Sequence, residues 1–284
     1  MQTRKLIERG LMVLLIATAT VLPVAADGGG PQTDFAIFDA TQYRGKPDLT
    51  AYGIRPLPVV YGHFFWEDRK VKDDLPDKEF VKRLLSKASY QADIICLDVE
   101  HWKISAGSDN WASISKYIAL LETARAVLPQ SAIGYYGMPP KRDYFASIAG
   151  PQSKDFKAWE RLNSNLTNLA RHVDILFPSL YTFYRKPAEW ERYAVNTIQA
   201  CQRYGKPIYP FLWPQYHESN RRYGLDYIEP DFWRRQLETV ARHAHGVVIW
   251  GGWDFAHQCP ATWDEEAGWW QATKAFIQKA KSPE

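Results

Sequence analysis

The sequence predicts an α/β protein built as a distorted (β/α) TIM-like barrel with seven parallel strands. Three observations predict it. Seven short β-rich runs alternate with longer amphipathic stretches, the pattern of βα units around a parallel sheet. No Gly-rich phosphate loop follows the first run, which argues against a dinucleotide-binding open sheet. Aromatic and acidic residues gather where the runs end, the face on which barrel sites are built.

The β-rich runs are 35–38, 57–61, 94–97, 132–136, 173–177, 208–213 and 247–250. Between them, apolar residues recur at spacings of three and four, as an amphipathic helix requires. Segment 80–88 shows this, and 114–127 repeats it with Tyr117, Ile118, Leu121 and Ala124 on one face. Helical patterns at 163–170, 190–204, 232–244 and 267–280 complete the set. Composition does not change along the chain and no internal repeat is evident, so 34–284 reads as a single catalytic domain.

The amino terminus reads differently. Arg4, Lys5 and Arg9 precede an apolar run at 11–22, and the segment ends Val24-Ala25-Ala26. A basic region, a short apolar core and small residues at the cut describe a secretory signal peptide over 1–26. Pro23 interrupts a run already too short to span a bilayer. A flexible leader of glycines follows at 27–33. The expected location is secreted or periplasmic, with no membrane association after cleavage.

The whole chain of 284 residues carries 35 Lys+Arg, 32 Asp+Glu and a formal charge of +3. Removing Arg4, Lys5 and Arg9 together with Glu8 leaves 32 basic against 31 acidic residues, or +1, so no nucleic-acid footprint remains. A hydrophobic share of 46% excludes a disordered chain. Three cysteines are too few for a disulfide framework. Cys96 lies in an apolar run and reads as a buried thiol, whereas pairing of Cys201 with Cys259 stays open.

Aromatic residues make up 14% of the chain, with 12 Trp, 16 Tyr and 13 Phe. Trp159, Trp190, Trp233, Trp269 and Trp270 fall in helical segments and read as core. The others crowd the strand ends: Asp98-Val-Glu100-His-Trp102, Tyr135-Tyr136, Tyr181, Trp213 and Trp250-Gly-Gly-Trp253-Asp254. Side chains alternate across a strand, so Asp98 and Glu100 share one face with Cys96, while Leu97 and Val99 face the helices. Two close carboxylates cannot both ionise cheaply, so one pKa rises and that group becomes an acid at neutral pH. Tyr and Trp around such a pair suit a sugar, whose C–H face packs on aromatic rings.

Other chemistries fit less well. His101, His217 and His257 have no ligand spacing, so no metal and no cofactor is expected. Ser179 is not in a nucleophile elbow. His63 and His101 are candidates to line the cleft, although a lone histidine more often serves structure. His243 and His245 complement a helix terminus. Asp254 is the best additional carboxylate, as site or as structure. The residues alone also leave open a conventional glycosidase with a protein nucleophile, or a carbohydrate-binding protein without turnover.

At these strand ends the chain resembles the hyaluronidase family of glycoside hydrolases. Phe35-Ala-Ile-Phe-Asp-Ala-Thr41, Ile95-Cys-Leu-Asp-Val-Glu-His-Trp102 and Gly134-Tyr-Tyr-Gly-Met-Pro139 are similar to family blocks. Phe177-Pro-Ser-Leu-Tyr181, Pro210-Phe-Leu-Trp213 and Gly246-Val-Val-Ile-Trp-Gly251 follow in the family's order. The resemblance implies cleavage beside N-acetylhexosamine in a polysaccharide or oligosaccharide, with retention and with the substrate's own acetamido oxygen as nucleophile; the protein itself is expected to be a monomer. It implies Glu100 as acid/base, Asp98 as orienting group for the substrate acetamido group, and Tyr136, Tyr181 and Trp250 as sugar-binding residues. Trp213, Tyr135, Trp102 and Asp254 join the expected substrate-binding set. His101 stands where the family commonly has an acid and Gly252 where it has a small hydroxyl residue. Basic steering of a polyanion would fall to local pairs such as Lys141-Arg142 or Arg221-Arg222.

Overall fold

Strands and helices alternate along the protein, of which the computed structural model describes residues 35–106 and 109–281. The expected signal peptide at 1–26 and leader at 27–33 lie outside the described residues. The order is β1 (Ala36–Thr41), β2 (Ile54–Pro56), β3 (Val59–Tyr61), α1 (Lys78–Leu85), β4 (Ile94–Asp98), α2 (Trp111–Val127) and β5 (Ala132–Tyr135). Then come α3 (Lys154–Asn165), α4 (Thr167–His172), α5 (Pro187–Gln202), β6 (Phe211–Leu212), α6 (Pro230–His243) and β7 (Gly246–Gly251). A short pair, β8 (Trp253–Asp254) and β9 (Cys259–Pro260), precedes α7 (Gly268–Lys281).

The first seven strands pair in parallel, as the alternation requires, but not as one ladder of seven. They form a four-stranded sheet in the order β2-β1-β7-β6 and a three-stranded sheet in the order β3-β4-β5. Proline explains where the regular ladders stop, because it has no N–H to donate. Near Pro58 the chain changes partners: Ile54–Pro56 pairs with β1, and Val59–Tyr61 pairs with β4. The expected strand at 173–177 is reduced to single bridges, Tyr136 with Phe177 and Leu176 with Ile208, with Ser179 meeting Phe211 just beyond. Pro178, Pro207 and Pro210 border these contacts and donate nothing, although their carbonyls accept from Phe211, Leu176 and Val248. The run at 208–213 is therefore regular only at Phe211–Leu212.

Gly134 shows how tightly the chain approaches itself beside β5. A Cβ there would lie 2.2 Å from the Ile175 carbonyl oxygen, so no larger residue fits without moving backbone.

Helix boundaries follow local chemistry. Asp77 caps α1 by accepting the Phe80 N–H, and Ser153 caps α3 by accepting the Phe156 N–H. Pro187 and Pro230 open α5 and α6, where a missing N–H costs nothing. The expected helix at 163–170 is instead the end of α3 and most of α4, broken at Leu166. The Ser153 cap marks a start ten residues earlier than periodicity alone suggests.

Two apolar layers result. Phe38, Cys96, Tyr136, Phe177, Phe211 and Val248 form a cluster on one side of the strands. Ile95, Leu97, Val99, Ile133 and Val247 face the other side and pack with the helices. Trp190, Trp233 and Trp270 are fully buried and Trp159 and Trp269 nearly so, as their helical positions predict. Their indole N–H groups find partners: Trp190 donates to Leu180 O at 3.0 Å and Trp233 to Thr273 Oγ1 at 2.9 Å. Cys96, Cys201 and Cys259 are all free thiols, which answers the open pairing question in the structure.

Candidate active site

The site grows from the end of β4. Alternation along this strand turns Cys96 toward the interior cluster and Leu97 and Val99 toward the helices. Asp98 therefore follows Cys96 inward, opposite Tyr61 of β3 in the ladder. Glu100 lies two residues beyond and is exposed. Both acids line a cleft of about 200 Å³. Tyr136, Tyr181, Trp213 and Trp250 line it too, so six of the nine expected site residues meet in one place.

Asp98 is the electrostatic centre. Burial first, and the Glu100 charge second, push its carboxyl from the ordinary 3.8 up to about 8. Its Oδ1 is buried without a hydrogen-bond partner among the described residues. At neutral pH the group is a neutral acid with one oxygen that no described group pairs.

The walls are a connected set of rings. Tyr181 stacks on Trp250 at 5.6 Å and meets Trp213 edge-on at 5.4 Å, with Tyr136 at 5.6 Å on its other side. Trp250 donates its indole N–H to the Tyr61 hydroxyl at 3.1 Å, and Gln42 donates to the same oxygen at 2.6 Å. Burial pushes the Tyr61 hydroxyl up to about 12, so it stays protonated and free to donate its own hydrogen. Tyr136 donates to Ser179 Oγ at 3.0 Å, which also accepts from Arg142 Nη1 at 3.0 Å. Tyr193 holds the Ser179 carbonyl at 2.5 Å from the helix side. Ser179 thus orients a cleft tyrosine and an arginine and is no nucleophile in this geometry.

Three expected site residues lie elsewhere. Tyr135 alternates outward from its neighbour Tyr136, is fully buried, and donates to the Tyr117 carbonyl at 2.7 Å. Trp102 follows the chain away from the strand, stacks edge-on with Tyr117 at 5.1 Å and donates to Asp73 O at 3.0 Å. Asp254 closes a turn: it accepts from the Ala256 and His257 amides at 2.9 and 3.1 Å and pairs with His257 Nδ1 at 2.7 Å. The His257 contact holds its carboxyl below the usual range.

The histidines also redistribute. His63 is exposed beside Tyr61 and Phe64, and His101 packs between Trp66 and Trp102, so neither lines the cleft. His217 does. Burial first, and nearby Arg142 second, depress His217 to about 4, which leaves it uncharged at neutral pH. Arg142, Glu218 and Tyr61 also line the cleft. Tyr61 ends the run 57–61 and obeys the same strand-end rule as the residues that sequence did single out. Arg142 enters the sequence reading only as part of a basic pair, and His217 only as a failed metal ligand.

Gly252 occupies a constrained turn beyond β7. Its φ is +81°, and a Cβ there would lie 2.7 Å from the Tyr43 ring and backbone nitrogen. A hydroxyl-bearing residue does not fit this backbone.

No family model matches the chain, and no curated protein matches it in sequence. Among solved structures it is similar to bee venom hyaluronidase, with a TM-score of 0.60 at 15% identity over 86% of this chain and 95% of that one. The same venom enzyme in complex with a hyaluronic acid tetramer gives a TM-score of 0.57 at 14% identity, over 86% and 94% of the two chains. At such identity the likeness is one of fold: this mixed α/β chain with parallel sheets has the architecture of bee venom hyaluronidase.

Proposed function

We propose that this protein is a secreted or periplasmic glycoside hydrolase with a distorted barrel-like fold, acting as a monomer. It cuts polysaccharides beside an N-acetylhexosamine, with retention and with the substrate's own acetamido oxygen as nucleophile. Asp98 and Glu100 hold one proton between them, and Glu100 delivers it to the glycosidic oxygen as the bond to C1 breaks, which leaves Asp98 ionised. The acetamido oxygen closes on C1 at the same time, forming a cyclic intermediate. Glu100, now ionised, takes a proton from water, whose oxygen opens that ring and restores the sugar. Asp98 orients the acetamido N–H and stabilises the charge that develops on it. Tyr136 and Tyr181 fix the acetamido group, and Trp250 and Trp213 wall the sugar.

The observation that carries this reading is the buried Asp98 oxygen without a partner, two residues before an exposed Glu100 in an aromatic cleft. A buried polar atom left unpaired costs free energy unless a ligand group fills it. An acetamido N–H is a donor of the right kind, and the rings around it suit the sugar's C–H face. The fold likeness to bee venom hyaluronidase agrees with the reading.

The test is a screen of hyaluronan, chondroitin and chitin against their deacetylated counterparts, followed by the anomeric configuration of the product. The proposal expects turnover only on N-acetylated chains and a product of retained configuration. Equal hydrolysis of deacetylated chains would instead favour a protein nucleophile, for which Glu218 on the cleft wall is available.

A further inference from the structure

An aromatic surface continues outward from the cleft and is not used by the chemistry above. Tyr181, on the cleft wall, lies 6.2 Å from the His217 ring, and His217 lies 5.8 Å from Tyr144. Tyr144 stacks on Phe183 at 4.9 Å with an interplanar angle of 24°. Phe145 leans edge-on against Phe183 at 5.7 Å and Tyr184 at 6.1 Å, and stands 63% exposed. Arg142 marks the border: it lines the cleft and sits 4.9 Å over the Tyr144 ring.

Two features of this surface point to a ligand. Phe145 holds a large apolar ring in water at the outer end of a run of ring contacts that leads back through Phe183, Tyr144 and His217 to Tyr181 in the cleft. The Tyr144 hydroxyl is buried without a hydrogen-bond partner among the described residues. A bare ring beside an unpaired hydroxyl and a guanidinium is what a sugar uses: a C–H face to stack, and hydroxyls to pair.

We infer that Phe145, Phe183, Tyr184 and Tyr144 form a second sugar-binding platform. Its occupant is a further residue of the same glycan chain whose N-acetylhexosamine fills the cleft. The inference rests on the glycosidase reading, and continuity of the rings with the cleft is what selects this occupant. A polymer seated at Asp98 and Glu100 extends past His217 and Arg142 onto Phe145. The platform therefore favours chains longer than a disaccharide and gives the site its endo character.

The experiment compares the full-length protein with Phe145→Ala and Phe145→Trp on hyaluronan and chitin di- and hexasaccharides. It measures binding by calorimetry, kcat/KM by product analysis, and oligomeric state by sedimentation. Loss of one stacked ring costs roughly five- to tenfold in affinity. The expected result is such a loss for Phe145→Ala on the hexasaccharide, a clearly smaller one on the disaccharide, and recovery with Phe145→Trp. Equal losses at both lengths, or none, overturn the platform while leaving the glycosidase reading intact. A wild-type dimer that Phe145→Ala dissolves also overturns it, by making this face a self-association surface. A wild-type protein that neither binds nor cleaves any of these sugars overturns the glycosidase reading and the platform with it.

Discussion

Replacing Asp98 with Asn tests the electrostatics of the cleft without any assumption about substrate. The carboxyl moves from 3.8 to about 8 on folding. Between these values the folded chain keeps a proton that the unfolded chain has released. The unfolded state then binds fewer protons, so stability falls as pH rises and levels off above the folded value. One pKa unit corresponds to about 1.4 kcal/mol. The whole window is therefore worth roughly 6 kcal/mol, and the interval from about pH 5 to about pH 8 roughly 4 kcal/mol. Asn is neutral throughout and nearly the same shape. The difference between the two proteins isolates this carboxyl, because most other groups titrate alike in both. Urea unfolding followed by tryptophan fluorescence over a pH series reads it directly. The expected profiles meet near pH 4 and diverge upward, with the Asp98→Asn variant the more stable form at alkaline pH. Parallel profiles would refute the raised carboxyl, and a wild type more stable than the variant above pH 8 would mean that Asp98 is held ionised.

Three further outcomes are expected. Glu100→Gln lowers kcat by roughly 10²- to 10⁴-fold, the usual worth of a general acid/base, with its urea midpoint unchanged because the side chain is exposed; reducing-end release and the unfolding curve check both halves. Asp254→Asn keeps turnover within a few-fold, since that carboxylate closes a turn with His257; a loss as large as that of Glu100→Gln would identify Asp254 as a nucleophile. Gly252→Ala destabilises the chain by about 2 kcal/mol or more, because positive φ and the Tyr43 contact act together; a thermal midpoint equal to wild type would remove that argument.

Much of this site was legible because strand chemistry is periodic. A period of two placed Cys96 and Asp98 on the inner face and Leu97 on the outer one, as the two apolar clusters confirm for Cys96 and Leu97 and the cleft lining for Asp98. The same rule separates Tyr135 from Tyr136, but two adjacent tyrosines carry no mark of which one faces inward. That phase is set by the register of β5 against β4, a long-range property. Trp102 was illegible for a different reason: it follows the end of the strand, where alternation no longer applies, and its direction is decided by Tyr117 on α2. The strand at 173–177 reads well as composition, but Pro178, Pro207 and Pro210 thin its hydrogen bonding to single bridges. His217 and Arg142 come from loops, whose course depends on packing that no local pattern records.

The aromatic excess divides by hydrogen bonding more sharply than by burial. Buried Tyr and Trp in the scaffold spend their polar atoms inside the protein: Tyr117 on Val99 O, Tyr135 on Tyr117 O, Trp159 on Lys141 O and Trp190 on Leu180 O. Such pairs fix a core, since an unmade bond there costs about 1–3 kcal/mol. Five buried side-chain atoms among the described residues lack partners: Asp98 Oδ1, His101 Nε2, the Tyr144 hydroxyl, Thr197 Oγ1 and Gln236 Oε1. Thr197 and Gln236 lie on α5 and α6, and His101 packs away from the cleft. The remaining two, Asp98 and Tyr144, mark the cleft and the start of the platform beyond it. A fold that satisfies its tryptophans so thoroughly carries the cost of these two where a glycan's donors and acceptors can offset it. The unpaired atoms, more than the ring count, trace the path along which a sugar chain would lie.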